Sequence, residues 1–268
     1  MITLVHERKN VYSQCGEDGI LEKIFSTVGT DKGKFVEFGG WDGIKYSNCY
    51  NLVKKGWSGL YIEADKSKHD GCVRNMEHYK DVFAHHAPVE ISGSNSIDNI
   101  LAQYDKSTGH PLEFTAENID VMSIDIDSYD YWVFASLKAY RPKVVIVEAL
   151  GRCRHIKDIR VKRPDSGMGC SLNAMARLGY YKKYDLITVT SSNVIFIREE
   201  DNNINGEKLF KPSTNDDNCI PPLPGDIVDE ENVRNLKPEA TLRSSFDVPY
   251  QKQGPWIIDP PFDWESYE

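Results

Sequence analysis

The ten residues KFVEFGGWDG, from Lys34 to Gly43, constrain the chain more than any other stretch. Phe35, Val36 and Phe38 are bulky and apolar, as a parallel strand buried on both faces requires. The strand must stop at Gly39-Gly40, with Gly43 just past Asp42. Glycines there let the backbone turn tightly and let a ligand approach the main chain with no Cβ in the way. A helix is expected next, with Ser47 as its N-cap and Tyr50, Leu52 and Val53 as apolar positions. Strand, glycine turn and helix together make a cradle for a nucleotide-like ligand at the carboxyl end of a strand.

The charges in the turn select among ligands. A dinucleotide site would show GxGxxG with backbone N–H groups facing a pyrophosphate. Here the pattern is Glu-x-Gly-x-x-Asp-Gly, and no GK[ST] follows to make a P-loop. Glu37 and Asp42 would repel a pyrophosphate and suit a ligand carrying positive charge, such as an α-amino group or a sulfonium. A second strand, GLYIEAD, runs from Gly59 to Asp65, with Glu63 at its end. An acid there is placed to hydrogen-bond both hydroxyls of an adenosine ribose. Together the two segments read as a site for S-adenosylmethionine; the bland alternative is a strand and turn of structural value only.

Composition narrows the class. The 268 residues suffice for one large α/β domain, and 41 acids against 32 bases give a net charge of −9. A general nucleic-acid binder would be basic, so nucleic acid is not expected as a partner. The sequence MITLVHERKN has no signal-peptide core, and no run reaches the length of a membrane span. The six cysteines form no CxxC pair and read as small reduced core residues. A cytoplasmic location is the expectation.

Ahead of the glycine turn, Ile20, Leu21, Ile24, Phe25 and Val28 recur at helical spacing. Gln14, Glu17 and Asp18 lie at the start of that helix, where acids favour the positive end of its dipole; the functional alternative is that Gln14 or Asp18 faces the cofactor. Residues 66–80 are polar and read as helical. DVFAHHAPV reads as a third strand whose adjacent His85 and His86 point to opposite faces, against a shared metal. Apolar residues at 97, 100, 101 and 104 mark one face of another helix, and 105–118 a loop.

IDVMSIDIDSYDYWVFASL is the second informative stretch. Val121, Met122, Ile124 and Ile126 make a central strand, with Asp125 and Asp127 at its carboxyl end and Asp130 in the turn. Carboxylates there need cations, hydrogen bonds or water. One of them could be a general base toward a hydroxyl, or Asp125 and Asp127 could hold a hard cation such as Mg²⁺. The structural alternative is helix capping by Asp127 or Ser128. PKVVIVEAL, residues 142–150, is the next buried strand and places Glu148 at the same edge. The only concentrated basic run follows, from Gly151 to Met168. Arg152 and Arg154, with Glu148, are candidates for binding the substrate, and His155 is a candidate base. The plain alternative for the run is a solvated loop.

SLNAMARLGY reads as a helix capped by Ser171 and ended by Gly179. Two strands joined by a short Thr-Ser-Ser-Asn turn then make an antiparallel hairpin. From Asp201 the chain is rich in Asn, Asp, Pro and Gly, yet Trp256, Ile257, Ile258, Phe262 and Trp264 are too apolar for a free tail. Residues 201–268 are therefore expected to pack on the main domain, 1–200, or on a partner subunit in a homo-oligomer.

SQCGEDGI, FVEFGGWDGIKYSN, GWSGLYIEAD, SIDIDSYDYW, PKVVIVE and GCSLNAMARLGY…NVIFIR together resemble the FkbM-type class I S-adenosylmethionine-dependent methyltransferases, from about Ser13 to Arg198. The resemblance implies an α/β, Rossmann-like seven-stranded sheet, helices on both faces, and an antiparallel last strand. It implies methyl transfer to a hydroxyl of a sugar, glycan or natural-product intermediate. It places Glu37, Gly39 and Asp42 near the methionine part of the cofactor, Ser47 and Asn48 near its carboxylate, and Glu63 at the ribose; Gly40, Ala64 and Asp125 are further candidates for binding the cofactor. Related sugar O-methyltransferases use a divalent cation held by acids like Asp125 and Asp127. The basic run after Glu148 and the tail after Asp201 depart from the family pattern. The rival readings are a nucleotide-dependent oxidoreductase or epimerase on a Rossmann sheet, weakened by the missing GxGxxG, and a non-catalytic module that retains the fold.

Overall fold

The computed structural model describes residues 4–127, 129–149, 159–161, 170, 172–190, 192–204 and 256–258. Its frame is a sheet of seven strands: β1 (Lys34–Phe38), β2 (Ser58–Glu63), β3 (Val82–His86), β4 (Val121–Ile124), β5 (Val144–Glu148), β7 (Tyr184–Val189) and β8 (Asn193–Arg198). The order is β3-β2-β1-β4-β5-β8-β7. β1 to β5 are mutually parallel, and β8 runs antiparallel to both β5 and β7. This is the sheet that the family resemblance implies, reversed strand included. A separate antiparallel pair joins β6 (Ile159–Val161) to β9 (Trp256–Ile258).

Alternation of apolar side chains explains two covered faces. Val36, Phe38, Leu60, Met122, Val145 and Val147 point into one core, beneath α4 (Ile97–Ala102), α5 (Asp130–Ser136) and α6 (Leu172–Tyr181). Phe35, Tyr61, Val121, Val144 and Ile146 point into the other, beneath α1 (Glu17–Val28), α2 (Tyr50–Val53) and α3 (Lys66–Met76). Ile20, Leu21, Ile24 and Phe25 are the buried stripe of α1, as their spacing predicts. The chain reverses direction of winding between β1 and β4, which sets the switch point of the sheet there, the place where open parallel sheets bind ligands outside the carboxyl ends of their strands.

Several boundaries differ from the sequence reading. β4 stops at Ile124, leaving Asp125 and Ile126 in the turn. Asp127 does not cap α5: Tyr129 occupies the cap, and Ser128, the other expected cap, lies outside the described residues. Gly179 does not end α6, which runs on to Tyr181. Its hydrogen instead faces the Phe196 ring, into which a Cβ would collide. The glycine is there for helix-to-sheet contact, and the chain leaves α6 through Lys183 at φ 63°. Of the extension expected from residue 201, the described parts are 201–204 and 256–258. Ile204 is buried in the core beneath α1, and β9 lies on β6. No described helix is long and apolar enough to cross a membrane.

Gly179→Ala therefore destabilises the protein by about 1–3 kcal/mol through overpacking, although alanine is the better helix former. Urea unfolding monitored by circular dichroism checks this; a gain in stability would show that α6 shifts freely off β8.

Candidate functional site at the carboxyl edge of the sheet

The turn after β1 is built by close approach. Gly39 sits at φ 67°, and a Cβ on it would run into the carbonyl oxygen of Asp125. Its N–H donates to the Ile62 carbonyl at 3.0 Å, so β1, β2 and the turn after β4 meet at one residue. Gly40 presses on the Tyr61 ring in the same way. Trp41 and Tyr46 hold positive φ values of 48° and 62°, a conformation that costs an ordinary residue about 1 kcal/mol or more. Asp42 fixes this loop by accepting from the N–H groups of Ile44 and Lys45 at 3.0 and 2.8 Å.

Glu37 is 3% exposed, and both oxygens serve the chain itself. One accepts from the Asn48 N–H at 2.7 Å; the other from Ser47 Oγ at 2.6 Å and the Cys49 N–H at 3.2 Å. Burial pushes its pKa up to about 7 against those bonds. Ser47 Oγ in turn accepts from the Tyr50 N–H at 2.9 Å; it braces the first residue of α2, although the cap position is Cys49 and not the expected Ser47. Asn48 Nδ2 donates to Ser123 Oγ at 3.0 Å, across to β4. Glu37 thus shapes the Ser47–Asn48 segment, where the sequence reading puts it against a cationic ligand.

Glu63, 8% exposed, accepts from the Trp41 N–H at 3.0 Å through one oxygen and from the Asp65 N–H at 2.8 Å through the other. Each oxygen keeps a lone pair for a further donor. Ala64 beside it is exposed. His86 Nε2 bonds the Ala64 carbonyl at 3.0 Å, and His85 Nδ1 the Tyr104 hydroxyl at 2.8 Å, so the two histidines do diverge. Gln14 is exposed. Asp18 takes the N–H groups of Val11, Tyr12 and Ser13 at 2.7–2.8 Å. Glu17 accepts from Thr190 Oγ1 and Asn193 Nδ2 at 2.7 and 2.8 Å. These acids anchor the loop before α1 and the β7–β8 hairpin.

The carboxylates that come together are Asp125, Asp130 and Glu148, each offering an oxygen within 4.8 Å of the others. This corrects the expected metal pair. Asp127 stands at φ 65° with its side chain exposed, outside the cluster, while Asp130, the first residue of α5, is 1% exposed inside it. Asp130 Oδ1 accepts from the Ile126 N–H at 2.8 Å, and its buried Oδ2 has no partner. Burial and the neighbouring acids raise all three carboxyls: Asp125 to about 6, Asp130 to about 8 and Glu148 to about 9. Asp130 was visible in the sequence as one more acid in the turn; only the start of α5 there turns it inward. Arg152, Arg154 and His155 lie outside the described residues.

No protein-family model and no curated protein matches the sequence. Solved structures of methyltransferases do. The CurJ carbon methyltransferase is 7% identical, with 67% of this chain and 52% of that one covered and a TM-score of 0.41. A putative caffeoyl-CoA O-methyltransferase from Staphylococcus aureus is 13% identical, over 72% of this chain and 87% of that one, with a TM-score of 0.40. M. capricolum TrmK, in complex with S-adenosyl-homocysteine, is 9% identical over 66% and 67%, with a TM-score of 0.38. The chain thus spans about half the length of the carbon methyltransferase. The fold assignment rests on strand order and direction, not on likenesses of this size.

The raised carboxyls fix the sign of a pH dependence. A buried acid whose folded pKa exceeds its unfolded value of about 4 makes the folded state bind the extra proton. Its contribution to stability is complete below about pH 4 and is lost as pH rises through the folded values, about 6 to about 9 here. In chelator, Asp130→Asn therefore raises Tm at pH 8 by about 3–5 °C and changes it little at pH 4. Thermal melts followed by circular dichroism test this; equal Tm values at pH 8 would show that the three carboxyls do not repel.

Proposed function

We propose that this chain is an S-adenosylmethionine-dependent O-methyltransferase acting on a hydroxyl of a sugar, glycan or natural-product intermediate, with a divalent cation in its acid cluster. The observation that carries this reading is the unpartnered Asp130 oxygen, buried beside Asp125 and Glu148 where a nucleotide crevice opens. The FkbM-type resemblance of the sequence and the strand order support it.

The residues fit both groups. Glu63 faces the crevice with one oxygen on the Trp41 turn and acceptor capacity left for a ribose diol. Gly39 and Gly40 let the turn close onto the Asp125 carbonyl and the Tyr61 ring, which brings its main chain to the edge where Glu63 and Asp125 lie. Three carboxylate oxygens, one orphaned, match the all-oxygen preference of Mg²⁺ or a similar hard cation. When bound, S-adenosylmethionine supplies a methyl group made electrophilic by its sulfonium, and a cation held by Asp125, Asp130 and Glu148 would lower the pKa of an acceptor hydroxyl.

This chain's own part is positioning and proton removal. The protein aligns the acceptor oxygen in line with the methyl carbon; the new C–O bond forms as the C–S bond breaks, and the hydroxyl proton passes to a carboxylate. Asp125 suits that step, since its pKa near 6 leaves it ionised at neutral pH while Asp130 and Glu148 keep protons unless a cation displaces them. Exposed Asp127 acts at most through its charge, which raises all three. Arg152, Arg154 and His155, by their place after β5, are the candidates for gripping the acceptor.

Glu63→Gln weakens S-adenosylmethionine binding about tenfold, the effect of losing one charge-assisted hydrogen bond. Calorimetric titration measures it, and an unchanged affinity would move the ribose elsewhere. Asp125→Asn lowers methyl transfer about 100-fold or more while leaving cofactor affinity nearly intact. Transfer of labelled methyl to a sugar panel, with Mg²⁺ and with chelator, is the assay; full activity in the variant removes Asp125 from the mechanism, and full activity in chelator removes the cation.

A further inference from the structure

A cavity of about 710 Å³ lies away from the acid cluster, between the carboxyl-terminal ends of α5 and α6 and the start of α4. None of its lining residues belongs to the glycine turn or to the three clustered acids. Trp132, Leu137, Tyr140 and Tyr184 give it a largely aromatic wall. Its size is that of a small-molecule site.

The charges at its rim do not balance. Lys138, Arg141 and Lys182 line it, against Asp98 alone. Asp98 is already committed to main-chain donors, the N–H groups of Lys138 and Ala139 at 2.9 and 3.1 Å. Arg141 is paired with Glu200. Lys182 is different. Its Nζ donates to the carbonyls of Leu137 at 2.6 Å and Ala135 at 3.4 Å, and no described carboxylate pairs with it. Burial pulls its pKa down to about 8; the negative charge of Asp98 opposes the shift, and the positive charges of Lys138 and Arg141 add to it. Two neutral carbonyls at the end of α5 explain why an ammonium can sit there. They leave one of its three N–H groups without an oxygen partner, with the Phe134 ring 5.4 Å from Nζ, and a surplus of positive charge at the rim of a protein that is acidic overall.

We propose that this cavity is a second ligand site, for a small ring-bearing anion: a planar body carrying a carboxylate, sulfonate or phosphate. The anionic group meets Lys182 and Lys138, and the ring lies along Trp132 and Tyr184, where aromatic contact and area burial favour it. The site stands whether or not methyl transfer is the reaction of the crevice.

The probe is 8-anilinonaphthalene-1-sulfonate, titrated into the full chain by fluorescence with excess S-adenosylhomocysteine present throughout. Saturable one-to-one binding is expected. Lys182→Met should weaken it about tenfold and Lys138→Met about threefold, and the uncharged N-phenyl-1-naphthylamine should bind about tenfold more weakly than the sulfonate. The Lys138 side chain is exposed and only its main chain is bonded, so that variant keeps the test sound should Lys182→Met fail to fold. Unchanged affinity in Lys138→Met, equal binding of the uncharged dye, or absence of saturable binding with S-adenosylhomocysteine present would each overturn the proposal.

Discussion

Like charges forced together in a dry place govern this structure. Asp125, Asp130 and Glu148 come within 4.8 Å of one another at the carboxyl edge of the sheet. Moving an ionised carboxylate out of water costs several kcal/mol unless partners offset it, and neighbours of the same sign add to that cost. The group must therefore hold protons, hold a cation, or do both in turn. A ligand-binding crevice is where such an arrangement has a use.

Comparison with the other buried acids makes the point. Asp18 collects three main-chain N–H groups through one oxygen, Glu17 bridges to Thr190 and Asn193, and Glu37 collects the start of α2. Each of these is a carboxylate solvated by its own protein, and each ties one segment to another. Asp130 has one such bond and, like Asp18, one bare buried oxygen, but it alone lies within 4.8 Å of two further acids, Asp125 and Glu148. The difference separates acids that build the crevice from those left facing it. Gly39 sets the spacing: by letting β1 come down on the Asp125 carbonyl, it brings the Glu63 side of the crevice up against the acid side.

Much of this was legible in the residues. The apolar residues Phe35, Val36 and Phe38 and the continuous run Val144–Val147 announced buried parallel strands, and the Thr-Ser-Ser-Asn turn announced the reversed hairpin. Acids at three strand ends were plain from spacing alone. What spacing could not convey was direction. Asp127 and Asp130 look alike in DIDSYD, yet a positive φ turns one out and the first turn of α5 turns the other in. Gly179 carried two readings, stop signal or packing surface, and only the Phe196 ring across the interface decides between them. Glu37 looked like a ligand group because its donors, Ser47 and Asn48, arrive ten and eleven residues later through a turn that no periodicity describes.

α5 connects the two regions of interest. Its first residue, Asp130, brings a carboxyl group to the positive end of the helix dipole. The carbonyl of Ala135 in its last turn, with that of Leu137 just past it, receives the Lys182 ammonium. The carboxyl-terminal end thus carries the charge its backbone favours, and the amino-terminal end does so when Asp130 gives up its proton; both groups are largely buried and incompletely paired. Seven residues of helix, packed through Tyr131, Val133 and Phe134 into the sheet, cannot absorb a shift at one end by bending. A change in how Asp130 is charged must be met by the same rigid element that presents Leu137 to the groove. Its packing against β4 and β5 holds that element in register with the strands that carry the other two acids.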